Sequence, residues 1–360
     1  MNIETNYQIT GKDATTDSVV EKPKEAFTPE VYNPLHVPGW NLLLENTPGA
    51  TFFHTENWAR VLMDTYGYRP LYFAVLGENR MTFLWPFMEV KSFITGRRGI
   101  SLPFSDYCMP IFDDAIDQPH ILESIIDYSR KLNWRFVEFR DNDGLAHFQS
   151  PSATHYRHRL LLENDDAKVF SRLRSNYRSK IRKAIKNNVE VRQLYTLDAI
   201  REYYRLHCIT RKGHGLPPQP YAFFKNIYRH IIAPGQGFVN LAYHNDRAIA
   251  GAVYFHFGNQ VIYKFGASDV KFQHLTGNYL VMWEAIRWSC QNGFQEFCFG
   301  KTDVNNNGLY QFKEGWGAQR QRLDYYRYYP KGSKPGYGFL KRFPIPLLRM
   351  TGNVLYRHFA

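Results

Sequence analysis

Two hydrophobic periods alternate along the second half of the chain. Residues 260–267 are rich in β-branched and aromatic side chains, and Gly258-Asn259 just before them suits a tight hairpin turn. A polar loop is expected over residues 271–277. Residues 278–292 then place Leu280, Trp283, Ile286 and Cys290 at helical spacing, with Gly293 positioned to end the helix. Residues 294–299 return to the short apolar run of a buried strand. Polarity follows: Gly300-Lys301-Thr302-Asp303, an Asn-rich turn, and a helical piece around Tyr310 to Gly317. This strand, helix, strand, helix unit gathers polar groups just beyond a strand's carboxyl end, where open α/β sheets bind ligands.

The first half carries similar signals. Trp58, Val61, Leu62 and Thr65 mark a helix over residues 57–66. Residues 71–76 and 81–90 read as a hairpin, in which Pro86 suggests an edge or a bulge. A helix is expected over 121–132 and strands over 134–139 and 158–162. Further helices are expected between 167 and 230, then hairpins from 238 to 267. The order helix, hairpin, helix, strand therefore occurs twice, without a residue-level repeat.

Phe299-Gly300-Lys301-Thr302, followed by Gly308-Leu309-Tyr310-Gln311-Phe312-Lys313 and Trp316-Gly317, resembles the FemAB-like branch of the GNAT acyltransferases. Lys301-Thr302 stands where that pattern has Arg-Ser, which keeps the charge and loses a bidentate contact. The resemblance implies an α/β fold of two tandem GNAT-like domains, assigned to residues 31–163 and 164–330. It also implies transfer of an acyl or aminoacyl group to an amine or hydroxyl of a cell-envelope or polysaccharide precursor. The segment Leu102-Pro103-Phe104-Ser105-Asp106-Tyr107 is similar to one in the first half of FemAB-like proteins, so Asp106 and Tyr107 are candidates for substrate binding in an inter-domain cleft.

Composition narrows the alternatives. The 44% hydrophobic and 16% aromatic content supplies a packed core, and 45 basic against 33 acidic residues give a formal net charge of +12, which favours anionic partners. Much of that charge is local. Residues 172–186 contain no acid, while Phe170, Leu173, Tyr177, Ile181 and Ile185 share one helical face. Arg174, Arg178 and Arg182 lie opposite that face and are candidates for holding an anionic or lipid-linked substrate. A surface helix docked through its apolar stripe is the alternative. Arg211, Lys212 and His214 sit on a Gly/Pro-shaped stretch and could grip substrate, or merely join two helices.

The chain has no HExxH, GxSxG or Walker pattern, and Cys108, Cys208, Cys290 and Cys298 are isolated along it, so hydrolase and metal chemistry are not indicated. Acyl transfer needs little beyond an oxyanion donor and a proton acceptor. Lys301, Asp303, Tyr310 and Glu314 are the catalytic candidates. A donor loop is sought at Gln273-His274-Leu275-Thr276-Gly277-Asn278. Thr276 and Asn278 replace the glycines expected of a diphosphate loop and could instead cap the following helix. The donor is thus acyl-CoA or another activated acyl group; the resemblance implies that aminoacyl-tRNA is less favoured, because the long helical arm common in Fem proteins that handle it is not visible.

Two other readings stay open: an acetyl-CoA-dependent small-molecule N-acetyltransferase, and a non-catalytic RNA or anionic-glycan binding protein. Residues 1–30 lack the basic start and apolar run of a secretory signal, which predicts a disordered tail and a cytoplasmic protein. Residues 331–360 are basic, free of acid and dotted with apolar side chains. They read as a peripheral contact with the inner face of the membrane or as cover for a sheet edge.

Overall fold

The computed structural model describes residues 29–93, 96–113, 117–140, 145–146 and 150–332. The amino-terminal tail up to residue 28 and the carboxyl-terminal tail from residue 333 lie outside the described residues. The strands are β1 (Glu30–Tyr32), β2 (Arg69–Leu76), β3 (Met81–Ser92), β4 (Gly96–Ile100), β5 (Ile111–Phe112), β6 (Val137–Arg140), β7 (Ala153–Leu161), β8 (Glu190–Leu194), β9 (Gly237–His244), β10 (Arg247–Phe257), β11 (Gln260–Ser268), β12 (Glu296–Asp303) and β13 (Gln319–Tyr328). The helices are α1 (Trp40–Glu45), α2 (Glu56–Tyr66), α3 (Gln118–Lys131), α4 (Asp166–Arg172), α5 (Ser175–Lys186), α6 (Leu197–Gly213), α7 (Tyr221–Ile227), α8 (Gly277–Gln291) and α9 (Asn307–Glu314).

The described strands form one mixed sheet in the order β1-β2-β3-β4-β6-β13-β7-β12-β11-β10-β9-β8, with β5 beside β3. Only β4 with β6 and β11 with β12 pair in parallel. The join is interleaved: β13, the last of the described strands, pairs with β6, and β7 lies between β13 and β12. Three apolar clusters fill the layers. One packs α3 on β2 and β3 through Phe73, Trp85, Ile121, Ile125 and Trp134. Another packs α5 and α8 on the sheet through Tyr177, Ile181, Val281, Ile286 and Phe297. The third spans both halves, joining Trp58 of α2 to Phe223 and Phe224 of α7 and to Phe255 of β10.

Turn chemistry explains the hairpins. Asn245 and Asp246 both hold positive φ between β9 and β10, and Gly258, at φ +54°, opens the turn into β11. Pro86 sits inside the sheet, not on its edge, opposite Tyr72 of β2. On its other side β5 pairs with Phe83 and Leu84 and β4 pairs from Met88 onward, so Pro86 falls in the gap between them.

Several expectations need correction. The strand expected to stop at Phe299 continues to Asp303, because Phe299 and Gly300 bulge between the pairs Cys298 with Arg159 and Lys301 with Arg157. The basic run 172–186 is not one helix. Leu173 and Arg174 are extended at ψ 145° and 140°, and the Arg174 amide donates to Gly315 O. Ile185, placed on the buried stripe, is 57% exposed. Strand β8 lies where helix was expected, after Asn188 turns the chain at φ +54°. Arg211 and Lys212 belong to the last turn of α6, and residues 270–275 form a 3-10 helix instead of a loop.

Candidate functional site

Strands β11 and β12 pair only through Gln260, Val261 and Ile262 opposite Glu296, Phe297 and Cys298, and then part. Both bulge just beyond the last pair. Lys264 is the extra residue of β11, between the pairs Phe265 with Val253 and Tyr263 with Tyr254, and Phe299-Gly300 is the bulge of β12. A bulge re-aims a side chain out of the strand's alternation.

The first half fills the wedge so formed. Asp106 accepts from Lys264 Nζ at 2.9 Å, and the same ammonium donates to Phe104 O at 2.6 Å. Gly300 passes close beside Asp106: a Cβ there would lie 3.1 Å from the Asp106 carboxyl carbon. From α9, Lys313 reaches in and donates to Gly300 O at 3.1 Å and Lys301 O at 2.9 Å. Lys301 Nζ lies 4.8 Å over the ring of Tyr325, whose hydroxyl donates to Asp106 O at 2.8 Å. Lys264 thus contacts the Asp106 carboxylate, and Lys301 and Lys313 lie near enough to act on its charge.

Their electrostatics follow from that crowding. Burial, with Arg140 adding repulsion, pushes Lys301 down to about 8. Burial likewise brings Lys313, 2% exposed, down to about 8. Burial alone would raise Asp106, yet Lys264 foremost and then Lys301 and Lys313 outweigh it and hold the carboxyl below its usual range. A lysine near 8 can give or take a proton close to neutral pH.

The sign for stability is set by proton counting. Above about pH 8 the folded chain has released protons that unfolded lysines, titrating near ~10.4, still hold. Stability from these two groups therefore rises with pH from about 8 upward. Urea unfolding at two pH values between 8 and 9.5, below tyrosine ionisation near ~10, should show native protein gaining stability relative to Lys313→Met. Parallel behaviour of the two proteins would disprove the depressed lysine.

Beyond the wedge the splay opens into a groove of about 580 Å³. Its floor is made of small residues facing one another across two strands, Gly251 with Ala267 and Ala252 with Gly266. Thr210 and His214 of the α6 end line one wall. Asn278, Val281 and Met282 of α8 and Leu309 and Phe312 of α9 line the other. Thr276, the residue before α8, holds φ +57° and ψ +26°, the turn that glycine would take, although it is β-branched. Its hydroxyl donates to Lys180 O at 2.8 Å, and no side chain caps α8. Thr276 and Asn278 are therefore not caps. Threonine here makes the turn expected of glycine, and its hydroxyl ties that turn to α5.

The other candidates are scattered. Asp303 is 74% exposed and meets His155 Nδ1 at 2.7 Å. Tyr310 is buried against Tyr156 and His158. Glu314 pairs with Arg320 at 3.8 Å. Tyr107 lies beneath the wedge, donating to Gln260 Oε1 at 2.6 Å with Arg157 stacked 3.9 Å over its ring. Arg178 bonds Ser171 O, Arg182 lies over Phe170, and Arg174 is exposed at the start of α5. Arg211 bonds Pro217 O at 3.0 Å and Lys212 is exposed. Gln273 and Asn278 line the groove, and Gly277 packs against Ile249 and Ala242. The structure brings Asp106 and Lys301 together and adds Lys264, Lys313, Arg140 and Tyr325. Among the described residues no group of His, Cys, Asp or Glu is arranged to hold a metal ion. No helix there is long and apolar enough to cross a membrane.

Residues 171–314 match the family model of the acetyltransferase (GNAT) domain. Over that span the chain carries a GNAT domain. That domain makes it an acyl or aminoacyl transferase. Among solved structures, FemX is similar over 82% of this chain and 96% of its own, with a TM-score of 0.62 at 13% identity. L-PGS from Bacillus licheniformis is similar over 88% and 95%, with a TM-score of 0.53 at 12% identity. A tandem GNAT protein from the clavulanic acid biosynthesis pathway is similar over 74% and 85%, with a TM-score of 0.50 at 8% identity. These likenesses establish a tandem GNAT fold. Comparison with curated protein sequences finds no match.

Proposed function

We propose that this acyltransferase moves an aminoacyl or other acyl group onto an amine or hydroxyl of a cell-envelope precursor, and that the wedge between β11 and β12 is the reaction centre. The observation that carries this is the meeting of Lys264, Lys301 and Lys313 around Asp106 where two bulged strands part. The donor lies along the groove floor with its phosphate-bearing end toward the uncapped start of α8, where peptide N-H groups favour negative charge. Its acyl carbonyl enters the wedge. The acceptor nitrogen or oxygen forms a bond to the carbonyl carbon, and the developing oxyanion faces the Lys313 ammonium. As the tetrahedral centre collapses, the bond to the leaving group breaks. The proton lost by the acceptor passes through neutral Lys301 to that leaving group.

The fold neighbours FemX and L-PGS direct the reading toward aminoacyl transfer on envelope molecules. A division at residues 163–164 would give the first half the acceptor and the second half the donor. The basic carboxyl-terminal tail would bring the enzyme to a lipid-linked acceptor at the inner face of the membrane. Incubating the protein with a lipid-linked envelope precursor and either radiolabelled aminoacyl-tRNA or radiolabelled acyl-CoA tests the proposal. Label is expected in the precursor with one of the donors, and is expected to be lost with Lys301→Ala. No transfer from either donor, or transfer indifferent to Lys301→Ala, would overturn it.

A further inference from the structure

The segment that delivers Asp106 has a backbone its side chains do not favour. Leu102 and Phe104 hold φ at +52° and +60°, and neither is glycine. Such backbone persists where its surroundings over-determine it. Here the carbonyls are taken one after another. Arg140 Nη1 donates to Leu102 O at 2.6 Å and to Ser105 O at 2.7 Å, Lys264 holds Phe104 O, and Tyr325 holds Asp106 O. Trp58 Nε1 adds a bond to Ser105 Oγ at 2.8 Å.

Arg140 is the last residue of β6 and is buried, with Glu138 accepting from its Nε and Nη2. Its guanidinium lies 5.0 Å from the centre of the Tyr325 ring, the ring that also carries the Lys301 ammonium at 4.8 Å. We propose that Arg140 is the positioning residue of the wedge: it fastens the Asp106 segment by two carbonyls, and its charge acts on Lys301 beside the shared Tyr325 ring. This rests on the wedge being the reaction centre. A guanidinium suits the task because one planar group supplies several fixed donors and stays charged. A lysine at 140 would keep the charge but present a single ammonium.

The groups acting on Lys301 come from several elements. Arg140 and Glu138 lie on β6, Asp106 on the 102–107 segment, and Asp303 on Lys301's own strand; His155 of β7 is lowered by burial first and then by Lys301. After burial, Arg140 is the largest influence, and it disfavours the ammonium form. Removing that charge lets Lys301 hold its proton to higher pH.

Lysine 13Cε NMR titration, with the Lys301 signal assigned by its loss in Lys301→Arg, reads the charge effect. Amide hydrogen exchange over residues 102–106 reads the fastening. In Arg140→Met the Lys301 midpoint is expected to rise by about one unit, and exchange over the segment to quicken by about tenfold or more. In Arg140→Lys the titration is expected to stay near native while exchange still quickens. A folded Arg140→Met in which neither the midpoint nor the exchange moves would overturn the inference. If Arg140→Met does not fold, Arg140→Lys decides, and native protection of 102–106 in that variant is the adverse result. Transfer surviving in Lys301→Ala and Asp106→Asn would move the reaction elsewhere, yet the titration would still judge Arg140.

Discussion

Replacing Lys313 with methionine is expected to lower acyl transfer by about 10²–10³-fold, the usual effect of removing one oxyanion donor. Methionine matches the length of the lysine stem, so the apolar packing of α9 against the wedge is retained. What disappears is the ammonium held against Gly300 O and Lys301 O. Two carbonyls lose a donor, which costs about 1–3 kcal/mol, while the burial that brings Lys313 to about 8 ceases to oppose folding. The two effects oppose each other, so the melting temperature should change far less than turnover. Steady-state transfer measured beside a thermal melt checks this. A Lys313→Met enzyme within threefold of native turnover would place the oxyanion site elsewhere.

Gly300→Ala is expected to abolish transfer and also to destabilise the fold by about 1–3 kcal/mol. Gly300 sits at φ +69°, where an L-residue costs about 1–2 kcal/mol. Its new methyl would also meet Asp106 Cγ and Oδ2, each at 3.1 Å. Asp106 cannot retreat easily, since Lys264 and Tyr325 hold it from both sides. Gly293→Ala is the control. It has φ +76° and nothing within 4 Å of the added methyl, so it bears the backbone cost alone. Gly293→Ala should lose stability and keep transfer, and Gly300→Ala should lose both. Equal activities in the two variants would show that the crowding of Asp106 does not matter.

Elements whose signals are local were legible from the residues. The helix ending at Gly293, the Gly258-Asn259 turn and the hairpin over β2 and β3 need nothing beyond periodicity and turn chemistry. Those that failed depend on distant partners. The strand β12 runs through Gly300 to Asp303 because β7 pairs with it there, and nothing near residue 300 announces residues 155–157. Ile185 faces outward because a second step of four residues drifts round the helix: the buried stripe of α5 runs Tyr177, Ile181 and then Ala184, which leaves Ile185 beside it and exposed. The site divides in the same way. Lys301 and Asp106 lie in segments that carry the FemAB-like resemblance. Lys264 showed itself only as a lone charge inside an apolar strand, and Arg140 as the polar end of another. Their meaning lies in the bulge at Lys264 and in the carbonyls of the 102–106 segment.

The interleaving of β13 and β7 bears on how the chain is made. A ribosome releases β6 long before it releases residues 319–328, so the first half waits through nearly two hundred residues of synthesis with one edge unfilled. An open strand edge is a template for foreign pairing, and pairings this remote in sequence close slowly. The wedge, which needs Tyr325 of that same late strand, forms only once residues 319–328 have been made. Chains interrupted before residue 319 are therefore expected to depend on chaperones and to be inert, whatever fraction of the GNAT domain they contain.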